Sequence, residues 1–372
     1  MIHSQTRDRS RLTATVRNRY AARMHGLFLH CRPGFESECA ADIQTRAAEL
    51  GIGGYCKAKT ASAYVVFATA NAADAERLQQ ELPFAEIIFA RQWFRLLALV
   101  KDLDVSDRIS GLLAGCANGP PVSDVFLETV DTNAGKELQA LCRSLGRPLR
   151  SALESQGVLT HDSGAHRLHV CFLATHAAYV GLTPIANSSA HVMGIPRLRF
   201  PSGAPSRSTL KLEEAFLSFL SDAERAHLLR PGQRAVDLGA APGGWSWQLV
   251  RRGLHVIAVD NGAIAPALMD SGLIEHRRED GFRFRPEQPV DWMVCDIVEQ
   301  PARIAALAAR WLGDGDCRYA VFNLKLPMKK RHEEVLRCRA IIDEALGGKG
   351  YYLRMKQLFH DREEVTAYLA RR

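Results

Sequence analysis

The sequence predicts an α/β chain: a doubly wound, mostly parallel sheet in the C-terminal half, preceded by smaller α+β units. Three observations predict it. Residues 235–245 read A-V-D-L-G-A-A-P-G-G-W, a short apolar strand ending in an acid, then a glycine loop, then a helix. Beyond residue 206, strand-like and helix-like segments alternate regularly, the pattern of parallel strands joined by crossover helices. Between the halves, residues 194–206 (G-I-P-R-L-R-F-P-S-G-A-P-S) hold three prolines and two glycines. These disfavour helix and central strand and mark the main linker.

A chain of 372 residues accommodates two or three domains, and 47% hydrophobic with 24% charged residues is ordinary for a globular protein. The formal charge of +7 is uneven. Residues 1–23 hold six Arg and one Asp, or +5, which leaves +2 for the rest. Overall basicity is therefore weak evidence for a nucleic-acid partner, and local clusters must carry that case. The nine cysteines form no C-x-x-C pair and no His/Cys cluster at zinc spacing. They read as reduced thiols of a cytoplasmic protein, with no metal. No apolar run reaches about 18 residues, because Arg91 and Arg95 interrupt the best one, so no membrane span or membrane partner is expected. Residues 1–23 lack both a secretory apolar core and an amphipathic face, and read as a basic extension, disordered or a misassigned start.

In the first half, strand-like runs at 26–31, 63–68, 125–130 and 169–174 alternate with helical stretches at 36–50 and 73–82. This suggests α+β units of ferredoxin-like form. The expected division is 24–95, 96–193, a linker at 194–206, and 207–372.

In the second half, residues 208–220 open with Ser208 as an expected N-cap. They place Leu212, Ala215, Phe216, Phe219 and Leu220 on one helical face, which is core, with Lys211 off the stripe and free to point at a site. The first strand runs to Asp237. Its loop lacks the G-x-G-x-x-G of dinucleotide sites, since Gly239 is followed by Gly243 and Gly244 after a proline, so a dehydrogenase fits poorly. The D-L-G-x-x-P-G-G-W form instead resembles the first motif of S-adenosylmethionine (SAM) methyltransferases, particularly those acting on RNA ribose. Glycines there let a ligand approach backbone N–H groups at a helix start. A second strand, 255–260, ends in Asp260, where a carboxylate suits ribose hydroxyls. A third is expected to end near Asp280, a candidate acceptor for an adenine amino group or a turn-forming Asp before Gly281. A fourth, V-D-W-M-V-C-D, ends at Asp296, with Cys295 read as packing. The fifth, A-V-F-N-L-K-L, carries Lys325. A lysine in so apolar a strand either snorkels out or is held for chemistry. Asp296 on the neighbouring strand and Lys211 are positioned to converge on it, and such a lysine can serve as a general base.

Taken in order, C-R-P-G-F-E, S-R-S-T-L-K-L-E-E-A-F, D-L-G-A-A-P-G-G-W, V-D-N-G, E-D-G-F, W-M-V-C-D and N-L-K-L-P-M-K-K-R resemble the bacterial large-subunit (23S) rRNA 2′-O-ribose methyltransferases of the RlmM type. The likeness runs from about Met24 to the C-terminus. It implies ferredoxin-like and THUMP RNA-binding modules before a Rossmann-like SAM domain, and rRNA cytidine as acceptor. It implies Lys325 as proton acceptor, with Lys211 and Asp296 completing a K-D-K set. Implied SAM contacts are Ser208, Ala241, Pro242, Gly243, Gly244, Asp260, Asp280 and Asp296. Related heat-shock ribose methyltransferases add a Glu on a late strand; here the last motif, L-F-H-D-R-E-E, offers His360, Asp361 and Glu363.

No N-P-P-Y-like tetrapeptide follows the fourth strand, which argues against methylation of an exocyclic base amine. Between Asp162 and Glu213 there is no acid, but Arg167, Arg197, Arg199, Arg207 and Lys211 are present. With Lys329, Lys330 and Arg331 they are candidate phosphate contacts. Two alternatives stand beside the rRNA methyltransferase. One is an RNA-binding assembly factor that keeps a SAM fold without essential turnover, the other a SAM enzyme acting on a small molecule or protein. DNA is not expected as a partner.

Overall fold

The structure, a computed structural model, describes residues 21–116, 119–160, 164–348 and 350–371. The chain divides into two compact units between Ile195 and Pro196, each described by itself.

The first unit carries β1 (Ala21–Arg23), β2 (Gly26–Cys31), α1 (Glu36–Glu49), β3 (Gly54–Ala58), β4 (Tyr64–Thr69), α2 (Ala72–Glu81), β5 (Ala90–Val100) and α3 (Arg108–Cys116). It continues with β6 (Asp124–Thr129), α4 (Asn133–Glu137), α5 (Gln139–Ser155), β7 (His166–Ala174) and β8 (Ala177–Pro184). The alternating apolar runs at 26–31, 63–68, 125–130 and 169–174 are β2, β4, β6 and β7, within a few residues at their ends. One sheet holds them all, in the order β3-β4-β2-β5-β8-β7-β6, with β1 also on β5. The apolar run interrupted by Arg91 and Arg95 is β5. It pairs with β2 through Ala90 to Arg95 and with β8 through Arg95 to Val100. It thus runs across the 95/96 division, and the two α+β modules share a strand. The basic extension read over 1–23 ends inside this sheet, because Ala21, Ala22 and Arg23 pair with Val100, Leu99 and Ala98; residues 1–20 lie outside the described residues.

Side chains from strands far apart in this order meet. Glu128 on β6 accepts from His169 Nδ1 on β7 at 2.6 Å and lies 3.3 Å from His30 Nε2 on β2, four places away in strand order.

The second unit carries α6 (Thr209–Phe219), α7 (Asp222–Leu228), β9 (Arg234–Leu238), α8 (Gly244–Val250), β10 (His255–Val259), α9 (Pro266–Met269) and β11 (Ile274–Arg277). Then follow β12 (Val290–Cys295), α10 (Pro301–Asp314), β13 (Cys317–Lys325), α11 (Arg331–Leu346), β14 (Tyr351–Lys356) and β15 (Glu364–Arg371). The sheet order is β11-β10-β9-β12-β13-β15-β14. The strands from β11 to β13 are parallel, and β15 runs antiparallel to both β13 and β14. Parallel strands bring their C-terminal ends to one edge, where ligands of doubly wound sheets bind. β15 begins at that edge, with Glu364 opposite Lys325. The α6 stripe of Leu212, Ala215, Phe216 and Phe219, with Leu220, is buried against Trp292, Val294 and Tyr368.

Among the described residues, no helix is long and apolar enough to cross a membrane. All nine cysteines are free, and all but Cys56 are buried. Burial pushes the Cys295 thiol up to about 12, which suits packing rather than nucleophilic chemistry.

Candidate active site

The glycine loop is fixed by its neighbours. Gly243 adopts φ 110° as the residue that opens α8, and a Cβ there would stand 2.6 Å from Leu268 Cδ2. A Cβ on Gly244 would meet the Ser208 and Ser206 hydroxyls at 2.2 and 2.3 Å, which hydrogen-bond to each other at 2.6 Å. Ser208 is not the side-chain N-cap that the sequence predicts: it takes helical angles, and its hydroxyl turns to Ser206 instead of α6. Its carbonyl accepts from Trp245 Nε1 at 3.0 Å, tying α6 to α8.

Asp260, just past β10, holds the loop from the other side. One carboxylate oxygen accepts from the Ala241 N–H at 3.0 Å and the other from the Gly262 N–H at 2.7 Å. Each oxygen keeps a lone pair for a ribose hydroxyl. Asp280 is exposed three residues beyond β11, which ends early because the chain turns. It accepts from the Phe282 N–H at 2.9 Å, and Arg283 lies 3.6 Å away. Asp237, the acid inside the motif, is buried at the end of β9. Its Oδ2 accepts from Ser246 at 2.6 Å, while Oδ1 has no hydrogen-bond partner. Burial pushes its pKa up to about 7, with Asp296 and Asp260 adding like charge against the opposing Ser246 contacts. Backbone N–H groups of the glycine loop at a helix start, with Asp260 at the end of the second strand keeping lone pairs for a ribose, fit a nucleoside cofactor.

Next to the loop, four charged side chains meet. Lys325 at the end of β13 hydrogen-bonds Asp296 Oδ1, and Lys211 on α6 hydrogen-bonds Glu364 Oε1. The cross distances are 3.7 Å from Lys211 to Asp296 and 3.8 Å from Lys325 to Glu364. Burial works against the Lys211 charge, but Asp296 and Glu364 outweigh it and raise its pKa. Asp296 also accepts from Asn323 Nδ2 at 2.8 Å, and Asn323 in turn accepts from Thr366, whose hydroxyl lies about 3 Å from buried Asp361. The structure therefore brings Lys325, Lys211 and Asp296 together and adds Glu364, which sequence reasoning missed by one position. The other candidates are engaged elsewhere. His360 holds Glu214 at 2.6 Å, Asp361 lies in the buried network, and Glu363 pairs with Arg331 at 2.5 Å. Glu363 stands exposed in the bend before β15, whereas Glu364 opens the strand, buried and opposite Lys325, and only knowledge of the β13–β15 register distinguishes them.

Of the cations read as phosphate contacts, Arg167 is buried, donating to Asp124 at 2.8 Å and to the Ser189 carbonyl at 2.9 Å. It is a structural ion pair, a correction to the sequence reading. Lys211 is likewise committed to carboxylates, and Arg331 to Glu363. Arg197, Arg199, Arg207, Lys329 and Lys330 remain exposed, all in the second unit.

The glycine loop and acid-tipped parallel strands define a SAM-dependent methyltransferase, and residues 204–330 match the FtsJ-like methyltransferase family. Residues 24–94 match the RlmM ferredoxin-like domain, and residues 107–184 match the N-terminal region of ribosomal RNA large subunit methyltransferase M. The chain is 53% identical to the ribosomal RNA large subunit methyltransferase M of Cellvibrio japonicus, over 93% of this chain and 99% of that one. It is 54% identical to that of Methylococcus capsulatus over 92% and 97%, and 52% identical to that of Azotobacter vinelandii over 94% and 99%. The chain belongs to this RlmM family of SAM-dependent rRNA methyltransferases.

Proposed function

We propose that the protein methylates the ribose 2′-oxygen of a cytidine in large-subunit rRNA, with Lys325 as proton acceptor. The observation that carries this reading is the convergence of Lys325, Asp296, Lys211 and Glu364 beside the glycine loop. When bound, SAM supplies an already activated methyl group on a sulfonium. What the protein must add is alignment and removal of the hydroxyl proton. Asp296 holds the Lys325 amine at the strand end, where it accepts the 2′-hydroxyl proton. Lys211, whose pKa the carboxylates raise, stays cationic and offsets negative charge developing on the ribose oxygen. Glu364 holds Lys211 in place. Ser208, Ala241, Pro242, Gly243, Gly244, Asp260, Asp280 and Asp296 form the cofactor side. Residues 96–193, as a THUMP-like module, with 24–95 hold the RNA, and exposed Arg197, Arg199, Arg207, Lys329 and Lys330 contact phosphates. Cytidine as the acceptor rests on the family resemblance.

The test is methyl transfer from labelled SAM to large-subunit rRNA from cells lacking this gene, comparing the wild type with Lys325→Ala. Label is expected in an alkali-resistant dinucleotide and to fall at least a hundredfold in the variant. Label in an alkali-sensitive mononucleotide would move the chemistry to a base and overturn the reading.

A further inference from the structure

The two most exposed large apolar side chains among the described residues are Met328, 92% exposed, and Val298, 88% exposed. Single exposed apolar residues are ordinary, but these two flank the same charge cluster. Val298 lies two residues beyond Asp296, and Met328 three beyond Lys325. Their strands, β12 and β13, are parallel neighbours with Cys295 opposite Phe322, so the two loops leave the sheet side by side. Both loops are seated. The Leu326 N–H donates to the Glu363 carbonyl at 2.7 Å, and Arg331 donates to the Glu363 carboxylate at 2.5 Å, pinning one loop at both ends. Between the pins Met328, Lys329 and Lys330 are exposed, and Lys330 takes a left-handed φ of 59°. On the other loop, Ile297 fills the space that glycine leaves at Gly239 and Gly281, where added Cβ atoms would stand 2.6 and 3.1 Å from its side chain. That seating turns Val298 outward.

Resting on the ribose-methylation reading, we infer that Val298 and Met328 clamp the heterocyclic base of the acceptor nucleotide while Lys329 and Lys330 hold its flanking phosphates. A ribose hydroxyl directed at Lys325 puts the base and phosphates of the same nucleotide just outside the cluster, over these loops. A thioether and a branched alkyl group pack against any π-face and offer no hydrogen-bond code. The clamp therefore holds an unstacked base without reading it, as sequence-tolerant stacking sites do on single-stranded RNA.

The test uses the full chain with Val298→Ser and Met328→Ser combined, assayed on undermethylated large-subunit rRNA. We expect the KM for RNA, and the RNA Kd from fluorescence anisotropy, to rise at least tenfold. The Kd for SAM and the melting temperature should stay unchanged, and Met328→Leu should keep the wild-type KM. An unchanged KM and RNA Kd, or an equal loss of SAM affinity, overturns the clamp. So does a change in sedimentation with unchanged KM, which assigns the apolar pair to contact with a second copy. Failure of the ribose reading is separate: it shows as base-located label with the wild type, whereas anisotropy needs no methyl transfer.

Discussion

Asp237 ends β9 with one carboxylate oxygen on Ser246 and the other without a partner. Its pKa stands at about 7 where 3.8 is usual, because burial penalises the anion. An acid whose folded pKa is raised holds its proton more tightly when folded. That contribution to stability is complete below about pH 4 and is lost as pH rises through about 7. The difference corresponds to roughly 4 kcal/mol when fully lost. Asp237→Asn removes the titration and keeps an acceptor for Ser246, so its stability relative to the wild type should be several kcal/mol more favourable at pH 8.5 than at pH 5. Urea unfolding at the two pH values measures this, and a pH-independent difference would refute the assignment. Close by, Lys211 is held cationic by Asp296 and Glu364, which outweigh its burial.

On the proposed cofactor contacts, the loop between β9 and α8 is where a small change reaches SAM first. Gly243→Ala forces a side chain onto φ 110° and to within 2.6 Å of Leu268; the left-handed backbone alone costs about 1–2 kcal/mol. Because the strain falls on the cradle, the Kd for SAM should rise at least tenfold while the melting temperature drops by only a few degrees; equal SAM affinity would show that the loop relaxes freely. This loop was legible in the sequence because its chemistry is local, as were the α6 stripe and the acids that end β9 and β10. Lys325 stood out for the same reason, a charge in an apolar strand. What escaped depends on pairing between distant segments. Glu364 became visible only through its register with Lys325, Arg167 reads as surface charge until Asp124 is seen against it, and Asp280 looks like a third strand end although β11 stops at Arg277.

At the scale of the first unit, segments that read as two modules share β5, and a shared strand predicts one cooperative body. Further bonds cross the division: Gln79 on α2 donates to the Leu182 carbonyl at 3.2 Å, Asn187 donates to the Gln79 carbonyl at 2.8 Å, and Trp93 donates to the Asn187 carbonyl at 2.7 Å. Glu128 adds the fully buried knot between β2, β6 and β7. Burial opposes its ionisation, yet His169 and His30 outweigh that and pull its pKa down, while burial lowers the pKa of His169. Both groups act in the same direction. A depressed acid stabilises the fold above its unfolded pKa, and a histidine buried neutral stabilises it above about 6.5, so stability is lost as pH falls from about 6.5 toward 4. Residues 21–195 should therefore unfold in urea as a single transition, with Trp93 fluorescence, the only tryptophan signal in that segment, superimposing on far-UV circular dichroism. Glu128→Gln keeps the shape but replaces the buried carboxylate that accepts from His169 with a neutral amide; a hydrogen bond to a charged group contributes about 1.5–3 kcal/mol. The variant should shift the whole transition to lower urea, with both probes still coincident. Two separated transitions, or loss of the β2 side alone, would mean that the modules fold independently and that β5 belongs to only one of them.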